Sequence, residues 1–549
     1  MSYVIENNII KTEPVEFDFA ALGGMGNIIF KAMKKYRQNI ALINPDDGRQ
    51  NTYEYILQNA IRTAIAMKQK GIKSRDIVMG SSDNHLDACV PILAALFLGA
   101  IPCPMDPCIA PTEVIHIIDQ VKPKLIFTIP SSLKLIKEAC HELNVDIEIV
   151  VFGSPEFRFF TERQNGEDGF EPVISQDPKE TAVIYFSSGT TGLAKACCLS
   201  HAYFIKQSSL VPSDIAEENL DLERRNFEWL KFKNDGTFLS YCPLYWLTAG
   251  KIIFEMFIVG GTCVLGKKFD SDQFWHIVDK FRVCLVMLSP FAISELAKYG
   301  KPPNFNADSL VKILTGGAVS QTKYWKLLQD ILPDIDILQN YGLTETGVIA
   351  YYEAYNKVHR EHYMTHPESI GFPVRGVWYK VVDPQTEKVL GPNQEGELYV
   401  KSEFFTNGYY NQPYDDVFDT DGWFRTGDVV YYTDNCALYF TNRLKELMKY
   451  RQLTVYPYVL EKELLKHPAV AQAAVLGIPH EDDGDHPAAF VVLKSDSGNV
   501  KAEEIRKFVD ERVQDKAKLR GGVRVVDSFP TTSTGKLKRV QLRKMVLEE

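Results

Sequence analysis

A loop rich in hydroxyl side chains and glycine follows an apolar run in the first half of the chain. The run 182–186 combines β-branched and aromatic residues and predicts a buried strand. The loop then offers hydroxyls that donate hydrogen bonds, glycines that let the backbone turn tightly, and a lysine that supplies positive charge. These properties suit a loop that binds a polyphosphate. The predicted loop residues are Ser187, Ser188, Gly189, Thr190, Thr191, Gly192 and Lys195.

The composition of this loop has two other interpretations. A surface turn is also rich in Ser, Thr and Gly, and the loop alone leaves that alternative open. A Walker A loop is excluded, because Gly189 and Gly192 are too close together in the sequence. In addition, Ala196 follows the lysine where a Walker A loop has a Ser or Thr that binds magnesium.

Two segments farther along the chain carry residue types suited to nucleotide chemistry. Gly316 and Gly317 follow the predicted strand 313–315, although a plain tight turn has the same pattern. The segment 341–346 (Tyr-Gly-Leu-Thr-Glu-Thr) offers an aromatic ring, hydroxyls and a carboxylate within a few residues. A buried tyrosine followed by a helix-capping threonine is the structural alternative for this segment.

Two segments nearer the C-terminal end add charged groups. The segment 421–428 ends on Asp428, whose carboxylate is suited to accept hydrogen bonds from both ribose hydroxyls. Its Asp-Gly pair is also typical of a hairpin turn, and both interpretations can hold together. The segment 533–537 (Ser-Thr-Gly-Lys-Leu) contains Lys536, and a lysine in such a turn is usually only solvated.

Together, in this order and at these spacings, the segments resemble the motifs of the adenylate-forming enzymes. That superfamily comprises acyl-CoA synthetases, adenylation domains of peptide synthetases and luciferases. The chain most resembles its branch of 4-coumarate–CoA ligases and insect luciferases, and the resemblance extends over about residues 40–545.

The resemblance implies roles for residues before position 350. Tyr341 would stack on adenine, Thr344 would reach a phosphate, and Glu345 would act in catalysis by holding Mg²⁺. A cation with oxygen ligands relieves the repulsion between a carboxylate and a triphosphate. The other residues implied in nucleotide binding here are Gly316, Gly317, Ala318, Gln339, Asn340 and Gly342.

The resemblance also implies roles for residues after position 420. Asp428 and Arg443 would contact the ribose or a phosphate, and Lys445 would be the hinge about which a small domain rotates. Lys536 would be catalytic, because its ammonium stabilises the charge that develops as the substrate carboxylate attacks the α-phosphate. The residues expected near CoA in the second half-reaction are Lys449 and Arg451.

The acyl pocket is expected near Tyr245, Trp246, Leu247 and Val348. Many relatives have a histidine at one or both of the first two positions, beside the substrate carboxylate. Tyrosine and tryptophan donate hydrogen bonds but carry no positive charge. Ordinary core aromatics are an equally good interpretation of this pair. If the pocket interpretation holds, the residues favour a fatty or aryl acid.

Four positions depart from the family pattern. Ala196 replaces a usual glycine, which is acceptable if its φ is negative. Asn442 replaces a usual aspartate before Arg443 and removes a charge partner. Gln452 replaces a glycine and Val459 a glutamate in a region that approaches CoA in relatives. Adenylation is therefore better supported than thioester formation.

Composition excludes several classes of protein. The net charge of −10 argues against nucleic-acid binding. The ten cysteines show no CxxC pair, which favours free thiols over zinc sites or disulfides. No signal peptide, membrane span or C-terminal Ser-Lys-Leu address is evident, so we expect a cytoplasmic protein. The sequence leaves the oligomeric state unknown.

Element patterns predict an α/β fold in more than one domain. Strand-like and helical runs alternate over about residues 40–440, but 371–439 lacks helical periodicity and predicts a small antiparallel β subdomain. The αβ pattern then resumes, with a helix predicted over 503–516. We expect a large N-terminal domain of two αβ sheet subdomains plus the β subdomain, followed by a small mobile α+β C-terminal domain. The predicted domains are residues 1–442 and 443–549.

The sequence therefore predicts an acid–thiol ligase that uses ATP, Mg²⁺ and CoA. Its substrate would be a small hydrophobic carboxylic acid, as in fatty acid metabolism. A luciferase that oxidises an adenylated luciferin with O₂ is the first alternative. A nucleotide-binding relative without turnover is the second, although Lys195, Glu345, Asp428 and Lys536 are all present.

Overall fold

A computed structural model gives the fold of most of the chain. The described residues are 3–187, 194–207, 236–317, 322–352, 356–412, 418–451, 453–495, 497–498, 500–531 and 537–547. They form two compact units. The first unit comprises Thr12–Val377 and Lys401–Gly422, and the second comprises Ser2–Lys11, Trp378–Val400 and Trp423–Glu549.

The first unit contains a four-stranded parallel sheet, and all of its strands except the edge strand Glu148–Val151 are almost completely buried. Because helices cover such sheets on both faces, their strands are continuous apolar runs rather than alternating ones. The strand order across this sheet is Ile101–Met105, Ile77–Ser81, Leu125–Thr128 and Glu148–Val151.

A larger mixed sheet in the first unit carries the segments predicted to bind adenine and magnesium. Its central strands are parallel, and antiparallel strands close both edges. The strand order is Phe372–Pro373, Gly347–Tyr351, Asp336–Leu343, Lys312–Gly316, Leu285–Leu288, Thr237–Ser240, Thr262–Leu265, Ile40–Ile43 and Gln50–Thr52.

A two-stranded ribbon made of Thr181–Ser187 and Lys195–Ser200 bounds the predicted phosphate loop. Alternation of helix and strand in the first unit confirms the predicted α/β class. The helices of this unit are Phe19–Leu22, Met25–Lys35, Tyr53–Gln69, Val90–Leu98, Pro111–Val121, Leu133–Glu142, Pro155–Thr161, His201–Gln207, Leu247–Val259, Ser271–Phe281, Pro290–Tyr299, Thr322–Ile331 and Lys357–Thr365.

The helix Val90–Leu98 shows how sequence determines this packing. All nine of its residues are buried, and Gly99 ends it in the left-handed conformation that glycine adopts without strain. The buried strand Ile101–Met105 follows directly. The apolar stretch is therefore a core helix that runs into a buried strand. Among the described residues, no helix has both the length and the apolar character needed to cross a membrane.

The second unit begins with the predicted antiparallel sheet. Phe424–Tyr432 is its longest strand and runs antiparallel to both neighbours. Two N-terminal strands, which we did not predict, join the sheet through the pairing of Ile10 with Tyr379. The strand order is Tyr3–Glu6, Ile9–Thr12, Trp378–Val382, Gly396–Lys401, Phe424–Tyr432 and Leu438–Arg443, with Val389–Leu390 beside Trp378–Val382.

The C-terminal part of the second unit has its own sheet and core. A long hairpin, Val470–His480 with Gly484–Leu493, is the centre of this sheet. The other strands are Met448–Tyr450, Leu453–Val455 and Val523–Val525, and the helices are Pro457–Leu464, Ala502–Asp510 and Arg539–Leu547. The predicted helix 503–516 was wrong at its C-terminal end, because the Asp510 carboxylate accepts a hydrogen bond from the Leu519 backbone N–H and the chain turns there.

The predicted fold class is thus confirmed: a mixed α/β chain with helix-flanked sheets, an antiparallel sheet and a C-terminal α+β region. The division between 442 and 443 stays a prediction. In the second unit, the antiparallel strands group with the C-terminal residues.

Candidate functional site

The predicted phosphate loop connects two strands rather than a strand and a helix. Ser187 and Lys195 are directly opposite each other at the end of the ribbon from which the loop leaves. Ala196 lies in a strand beside Phe186 and does not have a positive φ, so the condition set for this substitution is met. A Walker A loop leads into a helix, and this connection is therefore of a different kind.

Tyr409 links the loop lysine to the predicted magnesium ligand. The Lys195 ammonium lies 4.7 Å from the centre of the Tyr409 ring, within the range of a cation–π contact. The Tyr409 hydroxyl donates a hydrogen bond of 2.8 Å to Glu345 Oε1. The Ser187 hydroxyl also hydrogen-bonds to Tyr409. One aromatic side chain therefore contacts a loop cation, a loop hydroxyl and a carboxylate.

Backbone contacts hold Glu345 from the same side. The Thr406 N–H donates to the Glu345 carbonyl oxygen at 2.8 Å, and the Thr406 hydroxyl donates to the Cys198 carbonyl at 2.9 Å. Cys197 pairs with Tyr409 in an antiparallel bridge. The segment 406–410 therefore runs between the strand after the loop and Glu345, and it fixes their separation.

The surroundings of this group exclude water. Glu345 is 7 % exposed and Tyr409 9 % exposed. Burial raises the pKa of the Tyr409 hydroxyl, and the adjacent Glu345 charge raises it further, so the hydroxyl stays protonated and donates. Burial also raises the pKa of the Cys197 thiol, which remains neutral beside this carboxylate.

The predicted adenine-binding residues lie on adjacent parallel strands. Gly316 pairs with Asn340, and Thr315 pairs with Gln339. A Cβ at Gly316 would approach the Asn340 carbonyl oxygen to 2.8 Å, which requires glycine here. Parallel strands end at the same edge of a sheet, so these residues lie side by side at that edge, next to the start of the 341–346 segment.

The segment that carries Glu345 makes a tight turn between two paired strands. A Cβ at Gly342 would lie 2.1 Å from the Gly347 carbonyl oxygen, so the close crossing of these strands needs glycine. The buried Thr346 hydroxyl accepts a hydrogen bond from the Leu343 N–H. Tyr203 donates to the Thr344 carbonyl oxygen at 3.1 Å. The alternative of a helix-capping threonine is wrong, because Tyr341 and Gly342 belong to the strand Asp336–Leu343.

The predicted acyl-pocket residues are half-buried. Tyr245 hydrogen-bonds to Asp106, whose pKa is raised by burial, and Trp246 precedes the helix that Leu247 begins. Gly250 of that helix packs so closely on Tyr185 that a Cβ would lie 1.7 Å from the Tyr185 hydroxyl oxygen. The helix is thus fixed against the strand that leads into the phosphate loop. On the mixed sheet, Val348 pairs with Gly342.

In the second unit, Asp428 and Arg443 are directly opposite each other on neighbouring strands. The Arg443 Nε atom lies 3.1 Å from Asp428 Oδ1, with the aspartate side chain 1 % exposed and the arginine side chain 51 % exposed. Arg443 therefore has a partner on its own face of the sheet despite the substitution at Asn442. Asn442 points to the opposite face, where its Oδ1 accepts from the Arg443 N–H.

Glu397 supports an irregular part of the strand Phe424–Tyr432 just before Asp428. The Gly427 N–H donates to Glu397 Oε1 at 3.2 Å, and Gly427 has a positive φ of 69°. Burial raises the pKa of Glu397. The Thr426 hydroxyl accepts from the Asp428 N–H. These contacts give Glu397 a structural role.

The remaining predicted residues of the second unit lie around its C-terminal sheet. Lys445 is exposed in the short 3₁₀ turn Leu444–Glu446, and the backbone of Lys449 belongs to the strand Met448–Tyr450. The Arg451 Nε atom donates to Asp483 Oδ1 at 2.6 Å. This hydrogen bond is the main reason that the pKa of Asp483 falls to about 2.

Several predicted residues lie outside the described part of the chain. They are Ser188, Gly189, Thr190, Thr191, Gly192, Ala318, Gln452 and Lys536.

Sequence reasoning missed three residues that hold the Glu345 group. Tyr409, Thr406 and Tyr203 contact this group in space but are distant from it in sequence. The Asn-Gly pair before Tyr409 indicates a turn and nothing more.

Comparison with known proteins gives relatives of two kinds. The luciferin 4-monooxygenase of Photuris pensylvanica is 29 % identical over 98 % of each chain. 4-Coumarate–CoA ligase 2 of Nicotiana tabacum is 28 % identical over 94 % of this chain and 93 % of its own. The solved luciferase-like enzyme from the nonluminescent mealworm Zophobas morio is 29 % identical, with a TM-score of 0.71 over 80 % of this chain and 99 % of that one.

Two family models match the regions of the chain that contain most of the predicted nucleotide-binding motifs. The model of the AMP-binding enzyme C-terminal domain matches residues 459–536. The model of the AMP-binding enzyme matches residues 29–410, which is well over half of the chain. The chain therefore belongs to the AMP-binding enzyme family of adenylate-forming proteins.

Proposed function

We propose that this protein activates a hydrophobic carboxylic acid with ATP and transfers the acyl group to CoA. The observation that carries the proposal is the contact of Tyr409 with both Lys195 and Glu345. A loop cation and a buried carboxylate held at a fixed separation suit a triphosphate with its metal ion. Membership in the AMP-binding enzymes supports the same chemistry.

In the first half-reaction, an oxygen of the substrate carboxylate forms a bond to the α-phosphorus of ATP. The bond from that phosphorus to the bridging oxygen breaks, and pyrophosphate leaves. Ser187 and Lys195 would bind the phosphates, and the Glu345 carboxylate is an oxygen donor of the kind that Mg²⁺ prefers. Mg²⁺ held there would neutralise charge on the phosphates.

Residues of the second unit have proposed roles in the first half-reaction that rest on the family motifs. The buried Asp428 carboxylate is suited to accept hydrogen bonds from the ribose hydroxyls. Arg443 would orient that carboxylate through the ion pair. Lys536 would stabilise charge on the α-phosphate, a role that rests on the family motif.

A hydrophobic acid is favoured by the residues near the helix Leu247–Val259. Tyr245, Trp246 and Leu247 are half-buried, and Val348 on the mixed sheet is half-buried as well. Apolar and aromatic side chains of this kind bind a fatty or aryl group by excluding water from it. Tyr245 carries no positive charge, and its hydroxyl already hydrogen-bonds to the Asp106 carboxylate.

In the second half-reaction, the CoA thiol would attack the acyl carbonyl and AMP would leave. Lys449 and Arg451 are the proposed neighbours of CoA. The full-length similarity to a 4-coumarate–CoA ligase supports this acceptor.

A luciferase is the second candidate, supported by full-length similarity to a luciferin 4-monooxygenase. It would share the adenylation step and then oxidise the acyl-adenylate with O₂. A relative of the same identity comes from a nonluminescent mealworm, so similarity at this level does not imply light.

The test combines pyrophosphate exchange with product analysis over a panel of fatty and aryl acids. Wild type should catalyse exchange with at least one acid and should form its acyl-CoA when CoA is present. Lys536→Ala should lower the exchange rate by more than 100-fold, whereas the matched control Lys538→Ala should not. That loss corresponds to about 3 kcal/mol of transition-state stabilisation.

The outcomes separate the candidates. Adenylate that accumulates while CoA is never acylated would refute the ligase, and light from added luciferins would favour the luciferase. Absence of exchange with every acid would refute both and leave the nucleotide-binding relative without turnover.

A further inference from the structure

A group of metal-binding side chains lies at the turn of the long C-terminal hairpin, and the proposed ligase chemistry does not use it. His480 ends the first strand, Asp483 lies in the turn, and His486 is near the start of the second strand. Their ligand atoms all lie within 4.8 Å of one another. The group belongs to the second unit alone.

The hairpin register brings the two histidines to the same face. His486 pairs with Ile478, and His480 is two residues beyond Ile478 on the same strand, so both imidazoles point to one side of the ribbon. The rings are nearly parallel, with centroids 4.0 Å apart. Because the strands are paired along their whole length, the backbone holds both histidines in place before any ion binds.

Asp483 turns one carboxylate oxygen toward the histidines. Its Oδ2 atom lies 2.8 Å from His486 Nε2 and 3.9 Å from His480 Nδ1. The Asp482 N–H donates to His480 Nδ1 at 3.3 Å, a long hydrogen bond that an ion bound at this nitrogen would have to displace. Two imidazole nitrogens and one carboxylate oxygen therefore lie within 4.8 Å of one another.

Arg451 fixes the other oxygen of the same carboxylate. Its Nε donates to Asp483 Oδ1, and its backbone N–H donates to the Asp483 carbonyl oxygen at 2.7 Å. Outer hydrogen bonds of this kind orient a ligating carboxylate and are typical of metal sites. Arg451 thus leaves Oδ2 as the oxygen available to an ion.

The local charge also favours a cation. The turn and its flanks carry Glu481, Asp482 and Asp485 besides Asp483. Side-chain exposure is 42 % for His480 but 14 % for Asp483 and 19 % for His486. Two ligands are therefore nearly fixed, and the more exposed His480 is free to adjust.

We propose that His480, Asp483 and His486 form a binding site for a divalent transition metal ion, with Zn²⁺ as the best fit. Zinc is bound at about 2.0 Å by histidine nitrogen and carboxylate oxygen, so tetrahedral ligand atoms lie about 3.3 Å apart. To reach this geometry, the His480 ring must rotate out of its stacked arrangement with His486 and turn its nitrogen toward Asp483 Oδ2. Two imidazoles select zinc, cobalt or nickel over Mg²⁺ and Ca²⁺, and water fills the open position.

The test measures metal content and needs no knowledge of the substrate. The full-length protein is stripped with EDTA and dialysed against Zn²⁺ in buffer containing Mg²⁺, and bound zinc is measured by mass spectrometry. Wild type should retain one equivalent, and His480→Ala and Asp483→Asn should each weaken zinc binding at least tenfold. Circular dichroism in EDTA confirms that both variants are folded.

A second pair of histidines provides a matched control. His362 and His366 are also stacked, with centroids 4.5 Å apart, in the helical segment of the first unit. The double variant His362→Ala/His366→Ala should retain one equivalent of zinc, as wild type does. Cobalt in wild type should give visible d–d bands without a thiolate charge-transfer band, which excludes a cysteine site. Equal zinc binding by wild type and Asp483→Asn, or loss in the control, would overturn the proposal.

Discussion

The hydrogen bond from Tyr409 to Glu345 provides the sharpest test of the nucleotide site. Tyr409→Phe removes this one hydroxyl and retains the ring that stacks on Lys195. The substitution therefore separates the orientation of the carboxylate from the cation–π contact. We expect the rate of pyrophosphate exchange at limiting ATP to fall, because Glu345 is no longer held toward the metal ion.

The expected magnitude follows from burial. A hydrogen bond to a charged group contributes about 1.5–3 kcal/mol, and the full range applies where water cannot replace the lost donor. Glu345 and Tyr409 are 7 % and 9 % exposed, so replacement by bulk water is restricted. Since about 1.4 kcal/mol corresponds to a tenfold change, we expect kcat/KM for ATP to fall about 10- to 100-fold.

The assay is pyrophosphate exchange with saturating acid and varied ATP, with Tyr410→Phe as the control. Tyr410 is the next residue, but its ring packs on the apolar core of the first parallel sheet. The control should retain kcat/KM within about twofold, since a substitution away from the site changes it little. Equal values for Tyr409→Phe and Tyr410→Phe would refute the reasoning, because Glu345 would then need no orientation by this hydroxyl.

Three further predictions concern packing, pH and the second unit. Gly250→Ala should lower the thermal unfolding midpoint, because its Cβ would lie 1.7 Å from the Tyr185 hydroxyl oxygen, and adding Tyr185→Phe should recover part of the loss. Burial lowers the pKa of His201 to about 4. The free energy of unfolding should therefore fall by up to about 3 kcal/mol as the pH falls from about 6.5 toward 4. Denaturant titrations of His201→Gln over the same range should show a weaker dependence of that free energy on pH. Asp428→Asn should weaken ATP binding measured by calorimetry. In a double-mutant cycle with Arg443→Gln, measured by thermal unfolding, the coupling energy of the two residues should be about 1 kcal/mol, because the exposure of the arginine weakens the ion pair.

The parts of the fold that could be predicted are those set by local sequence patterns, such as apolar runs and bounding glycines. The helix Val90–Leu98 is entirely apolar and is bounded by Gly99, and alternating elements indicate a parallel sheet without knowledge of any contact. The N-terminal strands were not predictable, because the pairing of Ile10 with Tyr379 joins segments hundreds of residues apart. Such pairing leaves no signal in the local sequence.

The residues of the candidate site also fall into those that local sequence indicates and those that only the folded chain brings together. Lys195, Glu345 and Asp428 belong to segments whose glycines and charges indicate chemistry from the sequence alone. Tyr409 could not be found, because an aromatic residue after a turn is most often part of a core. Its importance depends on the antiparallel bridge to Cys197, which is a property of the assembled sheet.

The pairing of Asp428 with Arg443 explains how a carboxylate suited to ribose can remain buried. Removing an ionised carboxylate from water is costly unless a charge and hydrogen bonds compensate it. Arg443 supplies the opposite charge, with its Nε atom 3.1 Å from Asp428 Oδ1 but without a hydrogen bond to that oxygen, and its own side chain remains half in solvent, so little of its hydration is lost. The backbone of Asp428 is held separately, because its N–H donates to the Thr426 hydroxyl. Asn442 lies on the other face of the sheet from Arg443, so the absence of a negative charge at position 442 leaves the ion pair between Asp428 and Arg443 in place.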